Sequence, residues 1–339
     1  MKKSRYNKIT SQFHKRIVLV VGDLMLDKYL WGRTNRISPE APVPIVDINK
    51  IDYRPGGAAN VALNLSALGC NVIIIGIIGS DSDGKNLLNL LKKYNIDCSK
   101  IVISDNRYTT VKTRIMSQDQ QVVRADYEVK IPLSDNSREQ LIRSFELTIK
   151  KVDGLILQDY NKGIFDIKNI PEIIYLANNV NKPIYVDPKN SNFTSFKNVR
   201  LFKPNLVEFC KGFDSNQDLI KKDGFQLKKE LNADMIFITQ GSDGASLFEN
   251  SKYHHISTKA RKVHDVSGAG DTVISTFALS DLCDADPKES AILSNYAAGR
   301  VCEEVGVVPI TLNMLNEIVA NYRDWFLLVI KPYLWFTRL

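Results

Sequence analysis

Short runs of β-branched and other apolar residues recur along this chain, each ending in a polar residue and most followed by a helical pattern. Ile17–Val21 is unbroken in its hydrophobicity, as expected for a strand covered on both faces. Val72–Ile78, Leu155–Leu157, Pro183–Val186, Leu201–Phe202 and Met235–Thr239 repeat the theme. Helical patterns intervene at Gly57–Leu68 (stopped by Gly69), Gly84–Tyr94 and Ser137–Lys150, after Asn205, and at Ala291–Val305. Strand–helix alternation of this kind predicts an α/β fold with a mostly parallel sheet and helices on both faces. The polar residues that close the early strands, Asp23, Asp27, Asp159 and Asp187, would stand at the sheet's carboxyl edge, where open α/β sheets bind ligands.

Two stretches break the rhythm. Residues 28–54 carry prolines at 39, 42 and 44 and the alternation Ile45/Asp47/Asn49, and residues 108–128 alternate Val111, Thr113 and Ile115 with Lys112, Arg114 and Met116. Both read as strands of a small lid inserted in a single domain. A hairpin is expected at about 244–259. The domain is expected to span 17–322, after a flexible segment 1–16. A final helix near 311–330 leads into an apolar tail, 323–339, that holds Trp325, Tyr333 and Trp335.

Composition narrows the class of function. Of 339 residues, 44% are hydrophobic and 24% charged, an ordinary balance for a globular protein. The net charge of +7 is spread among acids with no long basic block, which argues against nucleic acid as a partner. Five cysteines, with no CxxC pair, indicate neither a zinc site nor a disulfide framework, and a reducing cytoplasm is expected. The start Met1–Lys8 is basic, but Ile17–Val21 is too short for a signal-peptide core, and no run reaches the ~20 apolar residues of a membrane span.

The densest chemical signal is Asp265-Val266-Ser267-Gly268-Ala269-Gly270-Asp271, followed by the apolar run Thr272–Ala278. That run reads as a buried helix, which would put the amides of Gly268, Ala269 and Gly270 at its positive end, a natural phosphate site. Asp271 would stand beside that phosphate as a base for an attacking hydroxyl. A glycine turn capped by an acid is the plainer reading of so short a motif. Two further pieces accompany it: Pro55-Gly56-Gly57-Ala58-Ala59-Asn60-Val61-Ala62, again opening a helix, and Gly22-Asp23-Leu24-Met25-Leu26-Asp27 after the first strand.

Together these motifs resemble those of the ribokinase-like (PfkB) carbohydrate kinases, over about residues 17–310. Arg36-Ile37-Ser38-Pro39-Glu40-Ala41-Pro42-Val43-Pro44 and Arg54–Asn60 look more narrowly like the D-glycero-beta-D-manno-heptose 7-phosphate kinases. The resemblance implies a ribokinase-like three-layer fold with a β lid. It also implies Asp271 as catalytic base, with Gly268, Ala269 and Gly270 as the anion hole. Asn205-Leu206-Val207-Glu208 matches the family's Asn-x-x-Glu motif, in which Asn205 and Glu208 place Mg2+ through water; a simple helix capping box accounts for the same residues, and both can hold together. Thr239, Gly241 and Gly244 belong to a loop that resembles the nucleotide loop. Asn295 and Ala298 fall where relatives line the adenine pocket, and Lys189 would bring a cation to the ATP phosphates. On the sugar side Asp27 would grip hydroxyls above a floor of Gly56, Gly57 and Asn60, with Asp23 orienting a loop. Asp159-Tyr160-Asn161-Lys162-Gly163 also resembles the narrower group and would border the site.

The activity implied is transfer of the γ-phosphoryl group of ATP to the anomeric hydroxyl of the heptose 7-phosphate, towards ADP-heptose and lipopolysaccharide. A phosphate-bearing substrate needs a cationic clamp, for which Arg33, Arg36, Lys112 and Arg114 are the candidates; alternation places Lys112 and Arg114 on one face. A homodimer joined through the lids is expected, because extended edge strands are usually paired or covered. Many relatives carry a second, nucleotidyltransferase half with a His-x-Gly-His type motif. That motif is absent, so the kinase alone is expected here. A kinase of another sugar, or a sugar-binding regulator on the same fold, are the alternatives.

Overall fold

The apolar runs do pair as a parallel sheet. The computed structural model describes residues 1–118, 120–258 and 263–321. From the amino end, α1 (Lys3–Thr10) precedes β1 (Ile17–Gly22), and two long strands, β2 (Leu24–Ile37) and β3 (Pro44–Gly57), lead into α2 (Ala58–Ala67). There follow β4 (Asn71–Ile75), β5 (Ile77–Gly79), α3 (Ser82–Lys93), β6 (Val102–Ser104), β7 (Thr110–Ser117), β8 (Gln120–Tyr127) and α4 (Asp135–Ile149). The second half continues through β9 (Gly154–Gln158), α5 (Asn169–Asn178), β10 (Ile184–Asp187), β11 (Leu201–Phe202), α6 (Leu206–Gly212) and α7 (Ile220–Leu231). It closes with β12 (Met235–Thr239), β13 (Ala245–Glu249), β14 (Lys252–Ile256), α8 (Ala269–Leu282), α9 (Pro287–Val301) and α10 (Leu312–Asn321).

The main sheet has eight strands in the order β14-β13-β12-β11-β10-β9-β1-β4. Pairing is parallel from β4 to β12, and β13 and β14 add to that edge antiparallel. Alternation along β1 sends Val18 and Val20 to one core, shared with α1, α2, α3, α8, α9 and α10. Leu19 and Val21 go to the other, shared with α4, α5, α6 and α7. The resulting three layers place Asp23, Asp159, Asp187 and Lys203 at one edge, since each ends or directly follows a parallel strand.

The lid is a separate four-stranded sheet, β3-β2-β7-β8, built from the two interrupting segments. It starts earlier than residue 28, because β2 begins at Leu24 with only Asp23 between it and β1.

Three expectations need correction. Residues 1–16 are not a flexible lead: α1 buries Tyr6 and Ile9, and Phe13 is 1% exposed. Polar neighbours mask this helical spacing in the sequence. The run Val72–Ile78 is not one strand, for it breaks at Gly76, whose added Cβ would lie 2.5 Å from Leu24 Cγ and 2.8 Å from the Gly22 carbonyl. Beyond the break, β5 pairs with β6 in a small sheet of its own. The helix expected at Ala291–Val305 starts at Pro287, behind an Asp286/Glu289 capping box. Of the final helix expected over 311–330, Leu312–Asn321 is described; residues 322–339, with the apolar tail, lie outside the described residues.

Candidate active site

Two buried helices pack against each other at the carboxyl edge of the sheet. α8 is buried over Asp271–Ser280 and α2 over Ala58–Leu65, so both lack a solvent face. They are pinned to each other by Thr272 Oγ1 donating to Asn64 Oδ1 (3.0 Å) and Ser275 Oγ donating to the Val61 carbonyl (3.1 Å). Each begins at a glycine with positive φ, Gly57 at 58° and Gly268 at 81°. At Gly57 an added Cβ would stand 2.5 Å from the Asp23 carbonyl, and at Gly268 2.9 Å from Asn60 Nδ2, so close approach as well as backbone conformation demands glycine. The loop before α8 is shaped by Asp265 Oδ1, which accepts from Ser267 N at 2.8 Å.

Asp271 lies in the first turn of α8 and is 3% exposed. Three side chains donate to its carboxylate: Asn60 Nδ2 to Oδ2 at 2.7 Å, Tyr160 OH to Oδ1 at 2.7 Å, and Gln158 Nε2 to Oδ1 at 3.2 Å. Burial pushes its carboxyl up to about 7; the Asn60 bond opposes this, Asp187 adds to it, and Tyr160 and Lys203 oppose it. A carboxyl so placed exchanges its proton near neutral pH, as a general base should.

The floor below is polar and ordered. Gln158 also donates to Asp187 Oδ2 at 3.0 Å, and Asp187 Oδ1 pairs with Lys203 Nζ at 3.0 Å. Lys203 is 2% exposed, and its Nζ lies 3.7 Å from where a Cβ on Gly270 would stand. A buried cation therefore faces the glycine loop. Nothing local in the sequence marks Lys203, Gln158 or the contact of Tyr160 with Asp271. Polar residues ending or following apolar strands were the available signal, and it singled out only the aspartates.

Asp23 does orient a loop: its carboxylate accepts from the backbone N–H of Tyr160 (2.8 Å), Lys162 (3.1 Å) and Ile164 (3.2 Å). Burial pushes Asp159 up to about 7, with Asp23 contributing, while bonds from Asn192 and Asn161 oppose the rise.

Asn205 and Glu208 form the capping box of α6, with Glu208 N donating to Asn205 Oδ1 (2.8 Å) and Asn205 N to Glu208 Oε2 (2.9 Å). Glu208 Oε1 also pairs with Lys189 Nζ. Burial alone would lower the Lys189 pKa, but Asp187 and Glu208 outweigh it and raise it. These oxygens keep further lone pairs, so they fit a hydrated Mg2+ held through its waters better than one bound directly. Among the described residues no cluster of three or more His, Cys, Asp or Glu forms a metal cage.

A cavity of about 320 Å³ opens on the other side of the glycine loop, lined by Ala269 and Gly270 together with Thr239, Gly241, Gly244, Asn295 and Ala298. That is the lower end of the range for small-molecule pockets, ~300 Å³. Thr239 bridges to Asn205 in parallel fashion, which joins this cavity to the capping box. Asn295 Nδ2 donates to the Ser257 carbonyl at 3.1 Å.

The lid supplies the opposite wall. Asp27, on β2, is 4% exposed and forms a hydrogen-bonded ion pair with Arg114 of β7. Gly56 is indispensable to that placement, since its Cβ would lie 2.6 Å from Asp27 Oδ2. Of the expected phosphate clamp, Arg114 pairs with Asp27, while Lys112 lies opposite Asp27 in the strand register without pairing to it. Lys112 turns to Asp126 (2.9 Å) and Glu128 (3.6 Å). Arg36 pairs with Asp47 at the exposed end of the lid, nine residues along β2 from Asp27, or roughly 30 Å at ~3.3 Å per residue. Asn60, expected on the sugar floor, also holds the Asp271 carboxylate.

A buried carboxylate at a glycine-opened helix terminus, between a cavity and a β lid, is an arrangement that can carry phosphoryl transfer. The chain belongs to the pfkB family of carbohydrate kinases, whose profile matches residues 15–312. It is thus an enzyme that phosphorylates a sugar hydroxyl. Among curated proteins it is 41% identical over 306 residues to the bifunctional protein HldE of Helicobacter pylori (strain Shi470), a match covering 89% of this chain and 65% of that protein. It is 40% identical over 315 residues to HldE of Proteus mirabilis, covering 92% and 65% respectively. The chain thus spans about 65% of the length of these relatives. Among solved structures, phosphofructokinase-2 from Escherichia coli in complex with substrates and products superposes with a TM-score of 0.74 at 18% identity, covering 90% of this chain and 99% of that one. Arabidopsis thaliana ribokinase complexed with ribose and ATP gives 0.69 at 17%, covering 90% and 98%. The fold is ribokinase-like.

Proposed function

We propose that this chain transfers the γ-phosphoryl group of ATP to the anomeric hydroxyl of D-glycero-beta-D-manno-heptose 7-phosphate, giving the 1,7-bisphosphate on the way to ADP-heptose and lipopolysaccharide core. The observation that carries this reading is the position of Asp271, with the cavity on one side of its helix terminus and the lid acid Asp27 on the other. The narrower choice of sugar is supported by the segments Arg36–Pro44 and Arg54–Asn60 and by the 41% identity to HldE.

ATP occupies the cavity lined by Asn295 and Ala298, its phosphates directed to the amides of Gly268, Ala269 and Gly270. Those amides and the helix terminus stabilise charge on the transferring group. Lys203 and Lys189 add positive charge from below. Bound Mg2+ would screen the ATP phosphates, with Asn205 and Glu208 fixing its waters. Asp27 holds sugar hydroxyls, and Asp271 takes the proton of the anomeric hydroxyl as it attacks phosphorus. Arg114 receives the 7-phosphate, because it is the clamp candidate that pairs with the sugar acid, whereas Lys112 is engaged by Asp126 and Glu128.

The lids join two copies. Edge strands β3 and β8 expose Ile48, Ile51, Val122 and Val123, an apolar surface that a second lid would cover.

ADP release measured with ATP, Mg2+ and a panel of sugars and sugar phosphates tests the acceptor. Heptose 7-phosphate should give the highest kcat/KM. Equal use of the unphosphorylated heptose, or preference for a different sugar phosphate, would contradict the assignment.

A further inference from the structure

We propose that Tyr160 is a positioning residue for the base: its hydroxyl aligns the Asp271 carboxylate and favours its ionised form. This rests on the reading of Asp271 as the base. Of the three donors to Asp271, Gln158 divides its amide between Asp271 and Asp187, and Asn60 is itself tied to Asn64. Tyr160 gives a 2.7 Å bond from a phenol. Burial and the neighbouring Asp271 hold that phenol well above its usual pKa, so it donates and does not carry the transferred proton away.

The place of Tyr160 is fixed by its loop and not by the ring alone. Asp23 takes three backbone N–H groups from residues 160–164. Gly163 has φ 89°, and a Cβ there would meet the Ile131 carbonyl at 2.0 Å. Lys162 Nζ reaches Glu128 Oε2 at 2.7 Å, just past the end of β8, which ties the loop to the lid. The charged groups around the pair are Asp187 from β10, Lys203 after β11, Asp27 from β2, and Lys189, whose Nζ stands 5.2 Å from the Tyr160 ring centroid. Tyr160→Phe leaves all of them in place and removes one hydrogen bond.

The test is kcat/KM between about pH 5.5 and pH 9, measured on the fastest sugar phosphate of the panel for wild type, Tyr160→Phe and Asp271→Asn. Wild type should rise with pH through about 7, because Asp271 works only when ionised. Tyr160→Phe should move that rising limb up by about one pH unit, as expected for one lost hydrogen bond to a charged group. Activity then falls roughly tenfold near pH 6 and little above about pH 8.5, with KM for ATP and the melting temperature nearly unchanged. An unmoved limb, or the same loss at every pH, would overturn the inference. If Asp271→Asn is inactive and the limb is unmoved, Tyr160 alone has been misread. If Asp271→Asn turns over at the wild-type rate, the base reading fails and takes this inference with it.

Discussion

Asp271 combines deep burial with three hydrogen-bond donors and a neighbouring Asp187, and these opposing influences leave its carboxyl near 7. An isolated buried carboxylate would be neutral far above that pH. The donors thus keep a buried acid usable as a base at neutral pH. Asp271 and its glycine loop are legible in the sequence because spacing to a helix start says where such groups must stand. Asp27, expected at the carboxyl edge of the main sheet, instead stands inside lid strand β2, because the chain turns into the lid directly after Asp23. Gln158, Lys203 and the contact of Tyr160 with Asp271 are not legible, since their meeting depends on the register of β9, β10 and β11 against one another, which no local pattern encodes. In the proposed reaction Arg114 is the residue that recognises the substrate phosphate. Arg114→Ala should raise KM for the sugar phosphate roughly tenfold, raise it less for the unphosphorylated sugar, and leave KM for ATP alone. Unchanged KM for the sugar phosphate would place the phosphate elsewhere.

Among the elements, the parallel strands were readable because burial on both faces leaves unbroken apolar runs. β4 and β5 form one apolar run in the sequence, since the contact that divides them, Gly76 against Leu24, is tertiary. The helix α1 is not legible because its apolar residues, Tyr6 and Ile9, stand within an otherwise polar segment. The lid was legible as a pair of alternating segments, though not its reach: β2 and β3 run as a 14-residue pair whose far end carries Arg36 away from Asp27. If the lids join two copies, the exposed edges of β3 and β8 are where they do so. Ile51→Lys with Val123→Lys should convert a dimer to a monomer in sedimentation at micromolar protein, because a charge on an edge strand opposes pairing. A wild-type monomer under the same conditions would exclude this assembly.

At the scale of the whole molecule, the sheet brings β1, β9, β10 and β11 side by side, and their carboxyl ends together form the floor on which α2 and α8 set Asn60 and Asp271. No helix among the described residues is long and apolar enough to cross a membrane. Everything in the proposed reaction converges on one proton transfer, and Asp271→Asn tests it directly. The change keeps size and shape, so the folded variant should bind ATP as before. Steady-state ADP release at saturating ATP and sugar phosphate should fall by ~10²-fold or more, the scale of a positioned general base. Turnover near the wild-type rate would show that Asp271 only caps its helix, and the mechanism would be wrong.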